Sequence, residues 1–305
     1  MRIAIMGAGG VGTYFGARLA AAGEEVIFIA RGRHLEALQA QGLSLQSPQG
    51  DLTLENVTAT EDPKNVGVVD VVLVTVKLYS LEEACRAMGP IIGPETMIVP
   101  VQNGVSAADI VKSELGDENV VGGLVFVASF VVAPGKIEHK TELHQLVCGE
   151  IDGTRSDRVL AFCRAGQNAG FDAIVSENIE LEIWKKFVNL AGMSPVTALS
   201  RQTIGAVQAD PDLREIFRQS ISEAVAIGQA GGVEFPPDIV EATVAWFTKV
   251  DPNTKNSMLL DLEAGKRMEN EWISGEIVRL GRKYGVNTPF HDVAYAMLKP
   301  FANGM

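Results

Sequence analysis

A short apolar run, Arg2-Ile3-Ala4-Ile5-Met6, ends in Gly7-Ala8-Gly9-Gly10-Val11-Gly12, and a helical pattern through Tyr14, Leu19 and Ala22 follows. A second apolar run, Val26-Ile27-Phe28-Ile29, then ends in Ala30-Arg31. Strand, glycine turn, helix, strand is an order that few folds accept; it opens a doubly wound α/β sheet. Gly7 permits a tight turn, Gly9 lets backbone N–H groups approach a pyrophosphate, and Gly12 lets the helix pack close to the strand. Together with Gly10 and Val11 these residues predict a dinucleotide cradle at a helix N-terminus, where negative charge is favoured.

The end of the second run bears on which dinucleotide. An Asp or Glu about 20 residues after the glycines would hydrogen-bond the ribose hydroxyls of NAD. This chain has Arg31 there, with Arg33 two residues on. A guanidinium offers a planar fork of donors that suits a phosphate. The residues therefore predict NADP(H), with Arg31 on the 2′-phosphate.

The net charge of −12 argues against a nucleic-acid surface or an anionic membrane as partner, while a small anionic ligand fits where cations cluster in a cleft. No apolar stretch reaches the roughly 18 residues of a membrane span. Cys85, Cys148 and Cys163 are odd in number and fit neither a zinc nor a redox spacing, so reduced, buried thiols in a cytoplasmic protein are expected. His34, His139, His144 and His291 form no ligand motif, and no metal is expected.

With 305 residues the chain has room for two domains. Up to about Val175 strands and helices alternate. Val71 to Val76 and Met97 to Val101 are continuous apolar runs of the kind buried on both faces. Helical spacing runs from Leu81 to Met88 and from Ser156 to Ala169. Extended segments run from Asn119 to Val132, Lys136 to His139, His144 to Cys148 and Phe171 to Val175, with a turn at Pro134-Gly135. Beyond Ser176 long helical periods take over: 179–199, 211–230, 237–247 and 257–284. The expected fold is a Rossmann-type, doubly wound, mostly parallel sheet over 1–176, followed by an all-helical domain over 177–305. No Gly/Ser linker separates them, so packed domains with a ligand cleft are expected.

Two motifs end strands at the edge where such sheets bind ligands. Lys77 closes Thr75-Val76-Lys77, and Asn103 sits in Val101-Gln102-Asn103-Gly104. In the helical half, Lys186 borders a buried stripe marked by Trp184 and Phe187. On pattern alone Glu182, four residues earlier, makes an ordinary ion pair with it. Glu269, near Lys266 and Arg267, reads on pattern alone as part of a solvated helix face.

The ordered set of motifs resembles the ketopantoate reductase (2-dehydropantoate 2-reductase) family. It comprises Gly7 to Gly12, Arg31, Val74-Thr75-Val76-Lys77, Gln102-Asn103-Gly104, Trp184-Lys185-Lys186 and Ser257-Met258-Leu259-Leu260-Asp261 with Glu269. The resemblance spans essentially the whole chain. It implies NADPH-dependent reduction of a 2-oxo acid, with Gly7, Gly9 and Gly12 at the pyrophosphate and Arg31 at the 2′-phosphate. It further implies that Lys77 and Asn103 lie on the nicotinamide side and that Lys186 is the general acid. Glu269 would orient the substrate and lie by the cofactor, and Asn103 and Ser257 would contact substrate, with Ser194 standing in for one contact usually made by an Asn. Relatives of this architecture often dimerise through the helical domain, so a homodimer is an expectation that the sequence leaves open.

Two positions depart from the family pattern, which usually has Asn four and eight residues after the lysine; here stand Leu190 and Ser194. Asn189 lies about 100° around the helix from position 190 and is no simple substitute. This keeps a different branched 2-oxo acid open as substrate. A non-catalytic NADP(H) sensor is the third reading, and retention of both Lys186 and Glu269 counts against it. Ser257 and Glu269 would stand about 18 Å apart on one straight helix. Both reach one small substrate only if the helix starts after Ser257 or breaks, Gly265 being the candidate position.

Overall fold

The computed structural model describes residues 1–304. It divides into two compact units, one of residues 1–102 and 106–179, the other of 103–105 and 180 onward.

In the first unit β1 (Arg2–Met6), α1 (Gly10–Ala21) and β2 (Glu25–Ile29) realise the opening pattern. They continue into α2 (Gly32–Gln41), β3 (Leu43–Gln46), β4 (Leu52–Leu54), β5 (Thr58–Thr60) and β6 (Val71–Val74). Next come α3 (Leu81–Met88), β7 (Met97–Pro100), α4 (Ala107–Leu115), β8 (Gly122–Ala133), β9 (Lys136–Gly149), α5 (Asp157–Asn168) and β10 (Asp172–Val175). One sheet has the order β5-β2-β1-β6-β7, and every pairing in it is parallel. All four residues of β6 are buried, as expected for a strand covered on both faces.

The remaining strands form a second, mixed sheet of order β10-β9-β3-β4, with β8 antiparallel to β9. The segments 136–139 and 144–148, expected to be separate, are one strand, β9, which forms a long hairpin with β8, turning at Gly135 with φ +72. Cys148 and Cys163 are buried with their sulfurs 3.6 Å apart, and all three cysteines are free thiols.

The second unit is helical: α6 (Ile179–Ser200), α7 (Ile204–Ala209), α8 (Pro211–Ala230), α9 (Ile239–Phe247), α10 (Ser257–Glu263), α11 (Ser274–Tyr284) and α12 (Pro289–Leu298). The helical period read from 257 to 284 is not one helix. α10 stops at Glu263, Gly265 takes φ +61, and a single 3-10 turn (Asn270–Trp272) precedes α11. A left-handed residue cannot continue a right-handed helix, so the break falls at the glycine. No helix among the described residues is long and apolar enough to cross a membrane.

Pro195 lies inside α6 and has no N–H to give to the carbonyl of Ala191. The Ser220 hydroxyl of α8 donates to that carbonyl instead, at 2.7 Å. His291, fully buried on α12, stands beside Ser220 at 3.2 Å and beside Ser274 at 3.2 Å. Burial lowers its pKa from 6.5 to about 4. Above pH 6.5 the ring is neutral in folded and unfolded chains alike. Between pH 6.5 and 4 only the unfolded chain takes up the proton, so stability falls as pH falls. One proton over that window is worth about 3 kcal/mol. We expect His291→Asn to flatten the acid side of a urea-midpoint against pH plot. An unchanged slope would show that the histidine is not the titrating group.

Candidate active site

The parallel sheet places the carboxyl ends of β1, β2, β6 and β7 along one edge. The glycine turn follows β1 there. Gly7 has φ +103, and a side-chain carbon on it would meet Val76 at 2.7 Å, so only glycine fits this turn. Gly12 lies against Thr75 and the Gly7 carbonyl, at 2.3 and 2.5 Å from where a Cβ would be. The Thr75 hydroxyl donates to that same carbonyl at 2.6 Å. Gly9 is exposed, and a Cβ there would meet nothing within 4 Å.

Gly10 is different: its Cβ would stand 2.1 Å from the Ser129 carbonyl oxygen. Its lack of a side chain thus serves packing of α1 on β8, while its backbone opens α1. The first turn of α1 (Gly10, Val11, Gly12, Thr13) has no acidic residue, and the leading N–H groups of a helix lack intrahelical acceptors. Open space at Gly9 and those donors fit an anionic pyrophosphate.

Arg31 follows β2 as the residue capping α2, is exposed, and pairs with Glu83 at 2.9 Å. Lys77 follows β6, half-buried. Gln102 was read only as a letter of a motif. Its amide donates to the carbonyls of Val74 at 2.9 Å and Val76 at 3.0 Å, bracing the segment that leads to Lys77. Asn103 groups with the second unit, although it follows β7 directly; Gly104 after it takes φ +113.

In the second unit α6 carries Lys186, with Trp184 and Phe187 buried beside it and their rings 5.5 Å apart, edge to face. Glu182 does not take Lys186 as its partner; it pairs with Lys185 at 3.0 Å. The carboxylate that acts on Lys186 is Glu269. Burial lowers the Lys186 pKa from 10.5 to about 8, and Glu269 opposes part of that fall. Glu269 is 5% exposed, so it is not on a solvated helix face. It caps the 3-10 turn after the Gly265 break, between Met268 and Asn270, which are themselves buried. Asn270 donates to the Tyr295 carbonyl at 3.2 Å, and Met268 packs with Met258, Leu262 and Leu298. A buried carboxylate is costly unless paired, and a lysine in the same unit answers it.

Leu190, one turn after Lys186, is half-buried. Ser194 is 1% exposed, and its hydroxyl has no hydrogen-bond partner. The Asn189 amide turns to its own helix, donating to the Lys185 carbonyl at 3.0 Å. Ser257 is the first residue of α10 and exposed. Asn256, which sequence reading passed over, caps α10 through Leu259 at 3.0 Å. It also donates to the Met193 carbonyl at 2.9 Å, tying α10 to α6. An Asn before Ser-Met-Leu-Leu is a usable capping signal.

Two family descriptions match this chain: Ketopantoate reductase PanE/ApbA over residues 3–153 and its C-terminal counterpart over 178–302. A 2-dehydropantoate 2-reductase of Mesorhizobium japonicum is 34% identical, over 99% of this chain and 98% of its own. An oxidoreductase of Bacillus subtilis described as uncharacterized is 30% identical, over 99% of both. Among solved structures, a PanE/ApbA family ketopantoate reductase from Ralstonia eutropha superposes with a TM-score of 0.91. It is 31% identical and covers 99% of this chain and 98% of its own.

Proposed function

We propose that this chain, which belongs to the ketopantoate reductase family, reduces 2-dehydropantoate to pantoate with NADPH, Lys186 acting as general acid. The observation that carries the reading is the lysine–carboxylate pair of the helical unit, with Lys186 brought to a pKa of about 8 by burial. At neutral pH that lysine is mostly protonated, yet gives up its proton far more readily than an exposed one.

When bound, the reduced nicotinamide supplies a hydride to C2 of the 2-oxo acid. The residues of this chain do the rest. α1 and its glycine turn hold the pyrophosphate, Arg31 the 2′-phosphate, and Lys77 and Asn103 the nicotinamide side. The Lys186 ammonium hydrogen-bonds the carbonyl oxygen, stabilises the charge that grows there and transfers a proton to it, leaving a neutral amine that solvent reprotonates. Glu269 would contact the cofactor, orient the substrate and favour the charged lysine before reaction. Ser194, with its unpartnered buried hydroxyl, and Ser257 contact the substrate. We place the protein in the cytoplasm, in pantothenate synthesis.

Leu190 favours a second reading, in which the substrate is another branched 2-oxo acid with an apolar group one turn from the lysine. The test of both is NADPH oxidation with 2-dehydropantoate beside a panel of branched and aromatic 2-oxo acids. Highest kcat/KM on 2-dehydropantoate supports the first reading; turnover confined to another acid replaces it with the second. No turnover on any acid would remove both.

The pH dependence is a separate expectation. A general acid must hold its proton, so kcat/KM should be flat below about pH 8 and fall tenfold per unit above it. Glu269→Gln removes the charge that raises the lysine's pKa, so its alkaline limb should move to lower pH. A limb that stays in place would dissociate Glu269 from the lysine.

A further inference from the structure

The strand order places β1 between β2 and β6. Arg31 follows the end of β2, and Glu83 lies in the first turn of α3, which β6 leads into. Their ion pair, Nη2 to Oε1 at 2.9 Å, therefore reaches across the end of β1, where the glycine turn begins. Both side chains are more than 60% exposed, at 62 and 63%. The neighbouring acid Glu82 faces Arg86 at 3.9 Å, and Arg86 also faces Glu114 at 3.6 Å. Glu83 instead pairs with Arg31, the guanidinium nearest the end of β2.

We propose that Glu83 is a cofactor-specificity residue: its carboxylate holds the Arg31 guanidinium in the free protein and is exchanged for the 2′-phosphate of the dinucleotide. The inference rests on the NADP(H) reading above. A 2′-phosphate must displace the carboxylate from Arg31 and then sit near its negative charge. Both effects weaken binding of NADP(H), and neither acts on a dinucleotide that lacks the phosphate. Glu83 thus holds the affinity for NADP(H) below what Arg31 alone would give.

The experiment measures dissociation constants of NADP⁺ and NAD⁺ for the full chain and for Glu83→Gln and Arg31→Ala, by calorimetry at low and moderate salt. Exposed pairs are weak, so Glu83→Gln should tighten NADP⁺ by about two- to fivefold and leave NAD⁺ unchanged. The gain should shrink as salt screens the charges. Equal changes for both nucleotides would mark Glu83 as merely structural and overturn the proposal, as would no change in either. Arg31→Ala separates the two levels. If it abolishes the preference for NADP⁺ while Glu83→Gln has no effect, only the present proposal falls. If it leaves the preference untouched, the NADP(H) reading itself falls.

Discussion

Lys186→Ala is expected to lower kcat by about 10²–10⁴-fold, the usual contribution of a positioned general acid. Binding of NADPH should survive, because the glycine turn and Arg31 belong to the other unit. The variant also leaves the buried Glu269 carboxylate without this cation, so KM for an anionic 2-oxo acid should rise as well. The falling alkaline limb should disappear together with the rate. Residual activity that keeps the wild-type pH profile would assign the proton to another group. Lys186→Arg is the useful companion, since a guanidinium keeps the positive charge but does not release a proton near neutral pH. Near-normal substrate binding with a kcat as low as that of the alanine variant would separate proton transfer from charge.

The second large effect is expected in the glycine turn, where two adjacent glycines answer to different demands. Gly10→Ala puts a carbon 2.1 Å from the Ser129 carbonyl oxygen and 2.8 Å from the Phe130 Cα, all of it backbone that no rotamer change can move aside. Overpacking of this kind should destabilise the fold by about 3 kcal/mol. A urea titration would show it as a lower midpoint with an unchanged slope. At Gly9 the same methyl meets nothing within 4 Å, and the backbone there is ordinary extended, with φ −79. Gly9→Ala should therefore unfold like the wild type and yet bind the dinucleotide more weakly, as expected if a pyrophosphate needs the open space at this glycine. Equal stability of the two variants would refute the packing role of Gly10. Equal cofactor affinity of Gly9→Ala and wild type would refute the cradle.

The parts of this molecule that were legible in sequence are those decided by local chemistry. β6 and β1 from Ile3 onward are apolar because they are buried, and Gly7 and Gly12 stand where a side chain would strike Val76 or Thr75. α2 and α4 escaped the reading because each is short and buries only two residues, too few to mark a helical stripe. In α6 the spacing admitted Glu182 with either Lys185 or Lys186, and periodicity alone does not choose between i+3 and i+4. Glu269 was hardest to place. Its charged neighbours Lys266, Arg267 and Glu271 look like a solvated face, but the helix ends before Gly265 and the carboxylate is buried. Glu83 gave no local signal at all, since its partner lies 52 residues away.

The helical unit is not one stretch of chain. Val105 packs with Trp184, Phe187 and the rest of its core, yet it is encoded in the middle of the other unit. A gene cut before codon 180 would not yield two self-sufficient halves. The downstream fragment would lack a valine that packs on its core, and the upstream one would carry that valine with nothing to pack on. Exchanging helical units between relatives to transplant substrate preference therefore calls for two crossover segments. The short one, 103–105, carries Asn103 along with it.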